Sequence, residues 1–287
     1  MSRFALRKLR HGRIWRKILY ERLTEPLHLN LLSVGVAMFG GFRRKVEFDL
    51  VTRQQHAFGL LRAADLATRL GLKALTALEF GVANGAGLFN MCDIGRSVTR
   101  VTGIAFRVVG FDSGIGMPPP RDWRDHPELY TTGDYPMDVE RLRRALPDNA
   151  EIVLGQLGET VPAFLRRLSA EAPIGFVSID VDYYSSTSEA LRVFVGPADR
   201  YLPLTPVYLD DVDYESHSEW AGELRAVADF NAEHEFRKVT PLNFLRHRRL
   251  FKNAKWIDHM YALHVFDHVS RQTKVQNAPA VLDNPYF

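Results

Sequence analysis

The sequence predicts an α/β protein of the Rossmann-like, doubly wound kind, in which helices cover both faces of a mostly parallel, seven-stranded sheet. Seven short apolar segments largely alternate with helix-forming segments from residue 53 to about residue 266, an alternation that is typical of parallel sheets. Most of these segments are largely apolar, as expected of strands that are covered on both faces. The 287 residues, 46% hydrophobic and 25% charged, suit one α/β domain with a helical N-terminal extension.

The first predicted strand, residues 75–80, runs directly into a glycine turn. Gly81, Gly85 and Gly87 permit a sharp turn into a helix through about Arg96, whose free N–H groups can face a ligand. A dinucleotide fingerprint is spaced G-x-G-x-x-G, whereas this turn is spaced G-x-x-x-G-x-G, with Glu79 two residues before its first glycine. The spacing favours a site for a nucleoside joined to methionine; a turn that serves only packing is the alternative.

The remaining elements are predicted in chain order. A helix with an apolar stripe begins near residue 53 and ends near Gly71. Further strands are predicted at residues 106–111, 152–154, 174–179, 207–209, 236–242 and 260–266, the last two as a terminal hairpin. Further helices are predicted at residues 136–146, 161–168 and 217–233. The long loop through residues 112–135 is rich in Gly and Pro, and loops of this length are usually lids or binding loops.

The basic character of the chain resides in its N-terminal arm. Eight Lys and Arg residues oppose two Glu within residues 1–25, while the whole chain carries a net charge of +3. Apolar residues recur among these charges at helical intervals, which indicates a helix. This helix either packs on the body or on a partner subunit, or lies on an anionic membrane surface. No nucleic-acid partner is expected, because the arm contains no recognised motif.

Residues 26–42 are free of charged side chains but contain Pro, His, Asn, Ser and three Gly, so they are not expected to span a bilayer. The long basic region before them argues against a signal peptide. Residues 29–51 are expected to be extended or irregular, as a cover over the sheet or as the contact of a homodimer. Cys92 is the sole cysteine, which favours a reducing, cytoplasmic compartment, with peripheral attachment at the inner face of the membrane as a variant.

Six acids follow or close the predicted strands. In a parallel sheet, ligands bind outside the carboxyl ends of the strands, so these acids belong to one crevice. Asp112 is placed to accept the hydroxyls of a ribose, with a helix cap as the alternative role. Glu79 is placed to attract an ammonium group. The other acids of the crevice are Asp180, Asp182, Asp210 and Asp211, of which the last three offer an all-oxygen ligand set for Mg²⁺ or Mn²⁺; a simple turn is the alternative for the last two.

Four segments resemble the macrocin O-methyltransferase family. They are Phe111-Asp-Ser-x-x-Gly-Met-Pro118, then Val153-Leu-Gly155 with Glu159-Thr160-Val-Pro162, then Ile179-Asp-Val-Asp-Tyr-Tyr-Ser-Ser-Thr187, and Leu209-Asp-Asp211. The resemblance covers roughly residues 74–215. It implies the class I methyltransferase fold, S-adenosylmethionine as cofactor, Mg²⁺, and methylation of a hydroxyl on a sugar, a glycolipid or another small natural product.

The resemblance also assigns roles to residues. It implies metal ligands at Asp182, Asp210 and Asp211, and makes Asp182 a candidate catalytic base; our own reasoning adds Asp180 as the other candidate. It places cofactor contacts at Glu79, Gly81, Asp112 and Ser113, to which the glycine turn adds Gly85 and Gly87.

Two segments depart from the family pattern, Leu204-Thr205-Pro206 in place of a Gly pair and Gly114-Ile115 in place of Phe-Glu. The second departure leaves the choice of acceptor open. His259, His264 and His268 lie outside the motifs, and a structural role is expected for them. The alternative functions are a nicotinamide-dependent Rossmann oxidoreductase and a non-catalytic nucleoside-binding protein. The predicted domains are a basic extension at residues 1–52, a methyltransferase domain at residues 53–270 and a tail at residues 271–287.

Overall fold

In the computed structural model, which describes residues 20–213 and 218–272, seven strands form one sheet in the order β3-β2-β1-β4-β5-β7-β6. Strands β1 to β5 pair in parallel, and β7 lies antiparallel between β5 and β6. All seven predicted strands and the terminal hairpin are confirmed. Their bounds are β1 Ala74–Phe80, β2 Ala105–Asp112, β3 Ala150–Leu154, β4 Ile174–Ile179, β5 Leu204–Leu209, β6 Arg237–Pro241 and β7 Met260–Val265.

Among the described residues, five predicted helices are present, at Gln54–Arg69, Ala86–Thr102, Val139–Ala145, Leu157–Leu165 and Gly222–Glu233, whereas the short helices Leu245–Arg248 and Val269–Gln272 were not predicted. Helix α7 was not predicted, because its Ser- and Thr-rich sequence favours turns as much as helix. Helix α6 begins four residues before the predicted start. The predicted helix at residues 217–233 is α8, whose first predicted residue lies outside the described residues. The bounds are α1 Leu27–Phe39, α2 Phe42–Glu47, α3 Gln54–Arg69, α4 Ala86–Thr102, α5 Val139–Ala145, α6 Leu157–Leu165, α7 Tyr184–Leu191, α8 Gly222–Glu233, α9 Leu245–Arg248 and α10 Val269–Gln272.

The prediction that residues 29–51 are extended or irregular is wrong, because α1 and α2 occupy most of this stretch. Pro26 directly precedes α1 with φ of −55°, a value that its ring fixes and that suits the start of a helix. Glycines do not prevent these helices: Gly35 lies inside α1, and Gly40 and Gly41 separate α1 from α2. The predicted helix in the basic arm falls mostly on residues 1–19, outside the described residues.

The sheet has a hydrophobic core on each face. Leu75 and Ala77 of β1 belong to a cluster with side chains of α3 and α4, whereas Leu78 and Phe80 belong to a cluster with side chains of α6, α7 and α8. This division follows the two-residue period of a strand. Helices therefore cover both faces, as predicted.

The strand register aligns the ends of four strands. Phe80 of β1 pairs with Phe111 of β2 and with Ile179 of β4, and Ile179 pairs with Leu209 of β5. The residues that come next along each strand therefore lie side by side at one edge of the sheet. They are Gly81, Asp112, Asp180 and Asp210.

Within the described ranges, no helix combines the length and the apolarity needed to cross a bilayer. The domain limits at residues 52 and 270 stay predictions.

Candidate functional site

A cleft of about 340 Å³ opens at this edge, where β1 and β4 lie side by side. This is the point at which the strand order reverses direction, and ligands of open α/β sheets bind there. The cleft is large enough for a small-molecule ligand. Its lining includes three of the predicted cofactor residues and all four aspartates of the predicted acceptor side: Gly81, Asp112, Ser113, Asp180, Asp182, Asp210 and Asp211.

Asp112 at the end of β2 organises the glycine turn of β1. Its Oδ2 atom accepts hydrogen bonds from the backbone N–H of Val82 at 2.9 Å and of Ala83 at 2.8 Å, and its Oδ1 atom accepts one from Gly114 at 2.8 Å. These bonds resemble the capping role that was the alternative for this residue. Each carboxylate oxygen has two lone pairs, so Oδ1 keeps the capacity to accept a ribose hydroxyl.

Glu79, Gly85 and Gly87 are not among the residues that line the cleft, and Glu79 is buried. The Glu79 carboxyl is buried against the first turn of α4, and a Cβ atom on Gly87 would lie 1.7 Å from its Oε1 atom. Within the described part of the chain, its Oε2 atom has no hydrogen-bond partner. Burial, followed by the nearby Asp180 and Asp112 carboxyls, raises the pKa of Glu79 to about 8. Gly87 thus makes room for an acid that is kept protonated near neutral pH.

Glu79→Gln is expected to flatten the pH dependence of stability. Because the folded-state pKa is raised, the folded chain retains a proton that the unfolded chain has already lost, so wild-type stability falls as pH rises towards about 8. Glutamine keeps the shape of the side chain but does not titrate. The pKa shift of Glu79 changes the free energy of unfolding of the wild type by up to about 5 kcal/mol between the unfolded-state and folded-state pKa values. Urea unfolding of both proteins from about pH 5 to about pH 9 measures the difference. Parallel pH profiles for the two proteins would contradict the prediction.

The aspartates at the ends of β4 and β5 form one cluster. The carboxyl groups of Asp182 and Asp211 share a side-chain hydrogen bond. Burial, then repulsion by Asp182, Asp180 and Asp210, raises the pKa of Asp211 to about 9, and burial with the same kind of repulsion raises the pKa of Asp180 to about 8. Such a cluster either holds protons or attracts positive charge.

Hydrogen bonds with neighbouring groups hold the aspartates of the cluster in position. The Tyr208 hydroxyl donates to Oδ1 of Asp210 at 2.6 Å, and the ring of His259 stacks on Tyr208 at 5.7 Å. The backbone N–H of Asp211 donates to Glu223 at 3.0 Å. Asp182 has φ of 59°, a left-handed value that costs a non-glycine residue energy and is common at functional sites.

The predicted metal ligands meet only part of what a metal site requires. Their donor chemistry suits a hard divalent cation, since Asp182, Asp210 and Asp211 supply only oxygen atoms and all line the cleft. Within the two described stretches, however, no group of three His, Cys, Asp or Glu side chains is arranged to hold a metal ion. The metal site therefore stays a prediction.

The predicted binding loop lines the cleft, and Asp125 holds it in place. Asp125 is buried; it accepts hydrogen bonds from Ser185 N at 2.7 Å, from Ser185 Oγ at 2.8 Å and from Arg121 N at 2.8 Å. Ser185 lies in the first turn of α7, directly after the aspartate cluster. The loop contributes to the lining with Gly116, Met117, Pro118, Arg121, Asp134 and Tyr135.

Sequence reasoning missed an ion pair at the mouth of the cleft. Arg121 from the loop pairs with Glu189 of α7 at 2.5 Å, and Glu189 also accepts a hydrogen bond from Gly158 N at 3.0 Å. The pair links the loop, α6 and α7. Ser186 and Glu189 both line the cleft and lie three residues apart on α7, which places them on one face of the helix. This spacing, counted on from the aspartate motif, was the sequence signal that could have identified them.

The three C-terminal histidines bond within the fold, His268 through its Nδ1 atom, which lies 2.8 Å from the Ser270 hydroxyl. His259 Nδ1 lies 2.9 Å from the carbonyl oxygen of Leu209, and its Nε2 atom lies 3.3 Å from Asp213. His264 lies 3.0 Å from the Thr240 hydroxyl. These contacts agree with the structural role expected from the sequence.

A mostly parallel sheet in the order 3-2-1-4-5-7-6, with its seventh strand antiparallel and its cleft at the ends of β1 and β4, is the class I methyltransferase fold. The chain has this fold.

Comparison with known proteins gives fold likenesses only. No protein-family model matches the chain, and no curated protein matches it in sequence. The O-methyltransferase NovP is similar at 17% identity over 63% of this chain and 72% of that chain, with a TM-score of 0.44. CalS11, a calicheamicin methyltransferase, is similar at 18% identity over 75% of this chain and 88% of that chain, with a TM-score of 0.44. An S-adenosyl-L-methionine methyl transferase from Silicibacter pomeroyi DSS-3 is similar at 14% identity over 73% of this chain and 94% of that chain, with a TM-score of 0.31.

Proposed function

We propose that the chain is an S-adenosylmethionine-dependent O-methyltransferase that acts on a small hydroxylated acceptor, namely a sugar, a glycolipid or another natural product. One observation carries the proposal. A single cleft has the glycine turn with Asp112 and Ser113 on one side and the aspartates of β4 and β5 on the other. The first side suits a nucleoside cofactor, and the second suits a hydroxylated molecule whose proton has to be removed.

The cofactor side supports the proposal through its rigid turn. Three backbone N–H groups are tied to the Asp112 carboxylate, which fixes the turn after β1 against the end of β2. A turn that is fixed before the ligand arrives loses little entropy on binding. The remaining acceptor capacity of Asp112 faces the cleft, where a ribose would bind.

The acceptor side supports the chemistry. In methyl transfer, the hydroxyl oxygen forms a bond to the methyl carbon, the bond from that carbon to sulfur breaks with its electrons on sulfur, and the hydroxyl proton passes to a base. Asp182, or Asp180 in its ionised form, accepts this proton, since both line the cleft. Alignment of the two substrates supplies much of the rate. A divalent cation held by Asp182, Asp210 and Asp211 would lower the pKa of the accepting hydroxyl.

Calorimetric titration tests the proposal. S-adenosylmethionine, NAD and NADP are each titrated into the full chain, once with Mg²⁺ and once with a chelator. Of the three cofactors, only S-adenosylmethionine is expected to bind. Methyl-labelled cofactor then serves to screen hydroxylated acceptors for transfer of the label. Binding of a nicotinamide cofactor instead would favour the oxidoreductase. Binding of no cofactor under either condition would overturn the proposal.

The cytoplasm is the proposed compartment. Cys92 is buried and has no second cysteine to pair with, which suits a reducing environment.

A further inference from the structure

We propose that α1 binds an anionic membrane surface and lies in the plane of that surface. An exposed apolar stripe runs along the whole helix: Leu27, Leu31, Val34 and Met38 follow helical spacing, and each is at least 57% exposed. Phe39 at its end is 85% exposed. A continuous apolar surface of this kind marks an interaction site.

The less exposed side of α1 is formed by Leu29, Asn30, Ser33 and Val36. Ser33 is the buried residue of α1, and its hydroxyl donates to the carbonyl oxygen of Leu29 at 2.9 Å. The Asn30 amide donates to the carbonyl oxygen of Arg22 at 2.9 Å. An ordinary surface helix turns its apolar face inward and its polar face to solvent. In α1, by contrast, the polar Asn30 and Ser33 lie on the less exposed side and Leu31 and Met38 face solvent, so its outer face suits an apolar environment better than water.

Contacts of Arg22 and Glu25 hold the segment that directly precedes α1. Arg22 donates to the carbonyl oxygens of Phe48 at 2.6 Å and Asp49 at 3.0 Å. Glu25 accepts a hydrogen bond from the backbone N–H of Asn253 at 2.7 Å. These contacts fix the segment before α1 to the body, so the apolar face is presented at a defined place.

The charges next to this face identify the partner. Residues 26–46 contain no acid, and Arg43, Arg44 and Lys45 follow α1 directly. Together with the basic arm, residues 1–46 hold eleven Lys and Arg against two Glu, a net charge of +9, although the whole chain is only +3. Each basic residue near an anionic membrane surface strengthens the attraction to it.

A second copy of the chain fits this surface less well than a bilayer. Pairing of two α1 helices would bring two segments of +9 together, and like charges across an interface are repulsive. Anionic headgroups neutralise the same charges. The 13 residues of α1 span about 20 Å, short of the roughly 30 Å of a hydrocarbon core, so the helix lies on the membrane and does not cross it.

Vesicle flotation of the full chain tests this inference. The vesicles contain phosphatidylcholine alone or phosphatidylcholine with phosphatidylglycerol. The test variant is Leu31→Gln/Met38→Gln, and the matched control is Val101→Gln/Phe236→Gln, which changes two exposed apolar side chains on other elements. Unchanged unfolding midpoints establish that both variants fold. The wild type and the control are expected to float with the anionic vesicles, and the α1 variant is expected to bind them at least about tenfold more weakly.

Salt and sedimentation separate the alternatives. Added salt is expected to weaken binding to the anionic vesicles, because the attraction between exposed charges is screened. Equal binding to neutral vesicles, unchanged binding by the α1 variant, or no binding by the wild type would overturn the inference. A dimer in sedimentation velocity that the α1 substitutions dissociate would also overturn it and assign the face to a second copy. None of these outcomes depends on cofactor binding in the cleft.

Discussion

Gly81→Ala is expected to destabilise the fold by more than about 4 kcal/mol, a large part of the stability of an ordinary domain. Gly81 has φ of +84°, and a Cβ atom there would lie 1.7 Å from the backbone carbonyl oxygen of Asp180. This contact cannot relax cheaply, since the N–H of Asp180 is held by Phe80 at 2.9 Å and that of Gly81 by Phe111 at 2.9 Å. The clash therefore acts on the junction of β1, β2 and β4.

Gly103→Ala is the matched control. Gly103 has φ of +77°, but a Cβ atom there meets no atom within 4 Å. Alanine at this position carries only the backbone strain, about 1 kcal/mol. Soluble yield and urea unfolding of the two variants separate the clash from the strain. Similar losses in both variants would show that the contact with Asp180 is not the cause.

Asp211→Asn is expected to weaken divalent-cation binding at least about 100-fold and to abolish methyl transfer, while S-adenosylmethionine still binds. The expectation rests on the proposed metal role of Asp182, Asp210 and Asp211. Asp211 is buried beside Asp182 and lines the cleft, so the loss of one negative oxygen ligand removes attraction where a cation would sit. Asparagine keeps the size of the side chain and the backbone N–H that donates to Glu223.

Asp213→Asn is the control for this substitution. Asp213 lies two residues further on and does not line the cleft; it pairs with Lys255 at 3.2 Å and with His259 at 3.3 Å. Paramagnetic titration with Mn²⁺ measures cation binding to each protein, and calorimetry measures cofactor binding. Wild-type Mn²⁺ affinity in Asp211→Asn would remove this residue from the ligand set. Loss of cofactor binding in Asp211→Asn would instead show that Asp211 maintains the shape of the cleft.

The sequence by itself determined the sheet and the position of its acids. Apolar segments of strand length, separated by helical patterns, identified all seven strands, because a strand that is buried on both faces consists mainly of apolar residues. Parallel pairing then placed the strand ends at one edge. That is why Asp112, Asp180 and Asp210 could be expected in one cleft before any contact was known.

The tertiary structure decided which atoms these residues meet. Asp112 bonds to backbone N–H groups 29 and 30 residues away, and Asp125 bonds to Ser185 across 60 residues. Glu79 lies behind the turn because Gly87 leaves space for its carboxyl. The apolar sequence of α1 was visible, but only the structure shows that Ser33 is buried while Leu31 and Met38 face solvent. Local patterns encode an element and its buried face, whereas a contact between distant segments depends on how the whole chain packs.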